Sequence, residues 1–102
     1  MNDMIVGVSV VEIFLPDSHS LKDKRQAVKK IIDKTRMKFN ISVAEFSENN
    51  LWQRAKIGFS VVGVKKDHIH VAMENVCDYI ESLYIGKVIS TNSEIIVLGN
   101  EI

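Results

Sequence analysis

The chain has 102 residues, of which 46% are hydrophobic and 25% charged, with five Gly, one Pro and one Cys. That length gives room for one domain, residues 1–102, and one core. A single Cys77 excludes an internal disulfide framework and a cysteine zinc cluster. No apolar run approaches a membrane span, and the start Met1-Asn2-Asp3-Met4 lacks the basic region of a signal peptide. A cytoplasmic protein is expected. The net charge is zero, but it is unevenly laid out: between Ser20 and Phe39 eight basic residues face two acidic ones, about +6, and the remainder carries about −6.

Met4 to Leu15 is β-branched and apolar without a helical period, which predicts a central strand ended by Pro16. Ser20 is a helix N-cap, with Asp23 placed to complete a capping box. A helix follows over Leu21–Phe39, with Leu21, Val28, Ile31, Ile32, Thr35 and Phe39 on one buried arc. Ile41–Phe46 alternates as a second strand, Ser47–Asn50 is turn chemistry, and Ala55–Val64 is a third strand. Asp67 reads as the cap of a second helix over His68–Leu83, with Gly86 marking its end region. Lys87–Leu98 is a fourth strand, expected to bulge near Thr91-Asn92-Ser93.

The order β-α-β-β-α-β predicts an α+β, ferredoxin-like sandwich. Its four-stranded antiparallel sheet carries both helices on one face, with the first and third strands central. Val6, Val8, Val10, Glu12 and Phe14 then line the open sheet face with Lys56, Ser60 and Val62.

The strongest functional signal is the basic helix. Lys22, Arg25, Lys29 and Arg36 share one flank beside the buried arc, while Lys30, Lys34 and Lys38 lie on the far side. Lys22, Lys24 and Arg25 also occupy the first turns, where the helix dipole disfavours cations by about 0.3–1 kcal/mol each. A phosphate there would meet backbone N–H groups and these side chains together. The competing view is a solvated charged face, neutralised by the acidic second helix.

Trp52 and Arg54, with Phe14 and Lys56, are candidate stacking or partner contacts. The favoured reading of Trp52 is a ring folded over the sheet edge to shield the core. The third-strand stretch Lys56–Val61 only weakly matches an RNA-recognition motif, because Phe59 should face the helices. His68 and His70 diverge on a helix, Asp17-Ser18-His19 is too local to form a triad, and Cys77 reads as a packing residue. No catalytic residues, metal site or cofactor are therefore expected.

Several stretches together resemble the YlxP-like family of small bacterial proteins, a domain of unknown function. They are Gly7-Val8 with Glu12, Leu15-Pro16, Ser20-Leu21-Lys22-Asp23-Lys24-Arg25, Phe39-Asn40-Ile41-Ser42-Val43-Ala44-Glu45 and Leu51-Trp52-Gln53-Arg54-Ala55. The resemblance implies a ferredoxin-like fold. It also implies a link to translation or ribosome maturation, since genes of that family tend to sit among such genes. The expectation is a non-enzymatic RNA- or ribosome-associated protein that binds phosphates through Lys22, Lys24, Arg25, Lys29 and Arg36. The alternative is a homodimeric interaction module using the open sheet face. A small phosphate ligand at the Ser20 helix end comes third.

Overall fold

A computed structural model describes residues 3–48 and 51–99. The expected turn at Ser47–Asn50 is therefore described only as far as Glu48, and Met1-Asn2 lies outside the described residues. The elements are β1 (Met4–Phe14), α1 (Leu21–Lys38), β2 (Ser42–Glu45), β3 (Arg54–Gly63), α2 (Lys66–Ser82) and β4 (Lys87–Leu98). The strands form one antiparallel sheet in the order β2-β3-β1-β4. This is the ferredoxin-like α+β arrangement, with both expected central strands in place.

Alternation along β1 sets the two faces. Ile5, Gly7, Ser9, Val11 and Ile13 are buried toward the helices, while Val6, Val8, Val10, Glu12 and Phe14 are half-buried on the open face. Val28 and Ile31 of α1 and Ile69, Met73, Val76 and Ile80 of α2 close the core over Ile57 and Phe59. Gly7 lets α2 approach closely, since a Cβ there would lie 2.6 Å from Ile69 Cγ2.

Local details differ from expectation at three places. α2 starts two residues earlier than expected, capped by Lys65 without a side-chain hydrogen bond, and Asp67 sits inside its first turn. There its carboxylate still complements the helix dipole. Second, the left-handed residue after α2 is Tyr84 (φ 56) rather than Gly86. Gly86 is instead a packing position, because a Cβ would fall 2.5 Å from Ile13 Cγ2 and 2.9 Å from the Phe14 carbonyl. Third, Thr91-Asn92-Ser93 stays in register with β1, and the irregularity falls at Ile89 between the partners of Glu12 and Ile13. The Ser9 and Ser93 hydroxyls bond across at 2.8 Å, which supports pairing through the polar stretch.

A basic flank and an aromatic corner

Ser20 caps α1 as its sequence requires, with Oγ accepting the Asp23 N–H at 3.0 Å. The Asp23 carboxylate turns back to accept the His19 N–H at 3.0 Å. The cap thus satisfies the Asp23 N–H and sets the Asp23 carboxylate at this terminus, where it disfavours a phosphate and leaves the side chains along the flank as the candidate contacts.

Lys24 corrects the expected phosphate-binding set. It is 1% exposed and stands in the buried stripe with Val28, Ile31 and Thr35. Its Nζ donates to the Glu48 carbonyl at 2.6 Å and the Leu51 carbonyl at 2.9 Å. A buried ammonium needs such acceptors, since leaving it unpaired would cost several kcal/mol. Lys24 is therefore a structural tie between α1 and the β2–β3 loop, unable to reach a phosphate outside.

Lys22, Arg25, Lys29 and Arg36 are all exposed. Their flank turns toward β2, where Arg36 Nη2 donates to the Val43 carbonyl at 3.3 Å. α2 packs over β1, β3 and β4, the other part of the sheet. Among the described residues the ion pairs are Lys29–Asp33 at 2.7 Å and Arg54–Glu12 at 2.8 Å. Glu74, Asp78 and Glu81 of α2 thus form no ion pair with this flank. The Lys29 and Asp33 side chains are 76% and 48% exposed, so their pair is solvent-screened and worth only about 0.3–0.5 kcal/mol.

The β2–β3 loop that Lys24 holds also carries Trp52. Trp52 is 51% exposed, so about half of its surface stays open to solvent rather than being closed over the sheet edge. Backbone and side-chain bonds fix the loop to the end of β1: Leu15 N–H donates to the Gln53 carbonyl at 2.8 Å, and Gln53 Nε2 to the Pro16 carbonyl at 3.2 Å. A hollow of about 650 Å³ opens here, lined by Phe14, Ser18, His19, Trp52, Gln53 and Arg54 among others. Arg54 is aimed by Glu12, and Lys56 stands exposed opposite Glu12 in the sheet register. The structure thus brings Trp52, Arg54 and Phe14 together, with Lys56 on the same sheet face.

Phe46 is a further exposed aromatic on the open sheet face that helical and strand patterning alone does not single out. It is 52% exposed and lies over Gly58, where a Cβ would fall 2.7 Å from its ring. Alternation puts Ser42, Ala44 and Phe46 on the open face but does not tell that the Phe46 ring stays exposed there.

A second groove, of about 510 Å³, runs between α2 and β4 past Ser9, His70, Glu74, Cys77, Asp78 and Ser93. Burial, then Asp78, then Glu81 push the Cys77 thiol above its ordinary pKa. The thiol is held protonated at neutral pH, the form least suited to nucleophilic attack. Among the described residues no group of three or more His, Cys, Asp and Glu side chains is placed to hold a metal ion. Also among them, Ser18 Oγ donates to the Ser20 carbonyl rather than engaging His19. No described helix is long and apolar enough to cross a membrane.

Fold and surface together define a small ferredoxin-like α+β protein that presents a basic helix flank beside an exposed aromatic corner. The chain belongs to the DUF503 family of proteins of unknown function, whose pattern it matches over residues 6–93. It is 30% identical over 78 residues to the uncharacterized protein YlxP of Bacillus subtilis (strain 168), covering 76% of this chain and 85% of that protein. Among solved structures it is similar to the de novo designed protein Foldit4, at 13% identity and a TM-score of 0.48, covering 97% of this chain and 99% of that one.

Proposed function

We propose that the protein is a non-enzymatic RNA-binding protein, with RNA of the translation apparatus as its natural target. Lys22, Arg25, Lys29 and Arg36 contact backbone phosphates and position the protein without reading sequence. The observation that carries this reading is the placement of the flank on the β2 side, where no α2 carboxylate forms an ion pair with it. With about three to four phosphate contacts, affinity for single-stranded RNA falls with salt at a logarithmic slope near −2 to −3. Raising salt from 50 to 200 mM should then weaken binding by about 20- to 50-fold. Fluorescence anisotropy of a labelled RNA, with wild type and the Lys22→Glu, Arg25→Glu, Lys29→Glu variant, tests this. Unchanged affinity in the folded triple variant refutes it.

A second reading is favoured by a separate observation. Met4, Val62, Ile96 and Leu98 are each 45–61% exposed and adjoin Val6 on the open sheet face, at the end opposite the aromatic corner. An apolar cluster of this kind fits a second copy of the chain. Sedimentation of wild type and Val62→Glu at micromolar concentration tests it, and a monomeric wild type removes it. The two readings use different surfaces, a flank of α1 and the open sheet face, and are compatible.

A further inference from the structure

An exposed tryptophan between two tethered residues, Leu51 and Gln53, is an expensive feature. Burying Trp52 against the sheet edge would remove apolar surface worth about 25 cal/mol per Å². Instead the protein withdraws Lys24 from water and uses two charge-assisted bonds to hold the loop that displays the ring. Leu15 and Gln53 add further bonds to the same loop. A ring held in place in this way loses little freedom when something stacks on it.

The surroundings say what would stack. Phe14 supplies a second aromatic surface, and Arg54, oriented by Glu12, supplies a planar cation. His19 and Gln53 place polar groups on the rim, where the edge of a base would lie. Lys22 and Arg25 stand in the same first turns of α1 as Lys24, which reaches the carbonyl next to Trp52. Aromatic platforms joined to a cationic track are the arrangement that holds unpaired nucleotides.

We infer that Trp52, Phe14 and Arg54 form a stacking site for an unpaired base of single-stranded RNA, whose adjoining phosphates run onto the Lys22–Arg25–Lys29 flank. This rests on the proposed RNA-binding role of that flank and adds its preference for unpaired over duplex RNA.

Trp52 is the single tryptophan of the chain, so its fluorescence reports the site directly. The probes are a 12-nucleotide oligoadenylate, an abasic strand of the same length and a 12-base-pair RNA duplex. Oligoadenylate should quench Trp52, while the abasic strand and the duplex bind without quenching. Trp52→Ala should weaken oligoadenylate binding by about 5- to 150-fold, the effect of losing one stacked base. It should leave the salt slope and the affinity for the abasic strand unchanged. Trp52→Phe should retain most of the affinity. The Lys22→Glu, Arg25→Glu, Lys29→Glu variant should weaken all three probes. Binding of oligoadenylate without quenching, or equal affinity in Trp52→Ala, overturns the stacking site while leaving the phosphate contacts standing. A triple variant that binds like wild type, or no binding by any probe at low salt, overturns both.

Discussion

Replacing Lys24 with Met isolates the tie between α1 and the Trp52 loop. Met keeps the apolar stem within the stripe of Val28, Ile31 and Thr35 but removes the donors to the Glu48 and Leu51 carbonyls at 2.6 and 2.9 Å. Hydrogen bonds from a charged donor contribute about 1.5–3 kcal/mol each, a gross loss of about 3–6 kcal/mol. Two effects reduce it. The variant no longer desolvates an ammonium, which costs several kcal/mol in its own right. Glu48 and Leu51 are also exposed residues, so a loop shift can return their carbonyls to water. The net loss should be about 1–3 kcal/mol, a fall in Tm of roughly 4–24 °C for a domain of this size. Thermal unfolding followed by circular dichroism measures this, with the exposed Lys22→Met as a control expected within about 0.5 kcal/mol of wild type. Trp52 anisotropy should fall and acrylamide quenching should rise in Lys24→Met alone. An unchanged Tm with unchanged Trp52 anisotropy would refute the view that this lysine holds the loop.

Gly86→Ala should cost more than Gly63→Ala in urea unfolding. The added Cβ meets the Phe14 carbonyl at 2.9 Å in the first case but only the flexible end of Ile69, at 3.0 Å, in the second. Overpacking of the first kind costs about 1–3 kcal/mol, and a reversed order would contradict the close approach at Gly86. Cys77 should react with iodoacetamide more slowly than a free thiol at neutral pH. Its folded pKa is raised, so its contribution to stability is complete below the unfolded thiol's pKa and declines as pH rises through the folded value. Wild type should therefore lose stability relative to Cys77→Ala at alkaline pH, and a gap independent of pH would exclude the effect.

How far the sequence reveals the molecule depends on the kind of signal. β1 is legible because an apolar run on both faces suits only a central strand, and the Ser20 cap because its side chain acts within one turn. The Lys22–Arg25–Lys29–Arg36 flank follows from helical spacing alone. For Lys24, residue type points outward and position points inward, and position prevails. Lys24 lies four residues before Val28 and seven before Ile31, squarely in the buried stripe. Nothing local shows that carbonyls from a loop 24 and 27 residues away will meet it. The Ile89 irregularity is hidden for a related reason: the turn chemistry of Thr91-Asn92-Ser93 is overridden by the ladder with β1, including the Ser9–Ser93 bond. Trp52 exposure depends on how the loop is tethered, which is again a long-range matter.

The division of charge between the two helices has a consequence for encounters in solution. The chain carries no net charge and its pI is near 6.8, so long-range attraction to a polyanion is absent as a whole-molecule effect. What remains is a torque. As the protein nears a phosphate backbone within about a Debye length, roughly 8 Å at physiological salt, α2 is pushed away while α1 is drawn in. Wrongly oriented collisions are rejected early, and those that persist already present the α1 flank. A neutral protein arranged in this way gains orientation without the indiscriminate stickiness of a uniformly basic one.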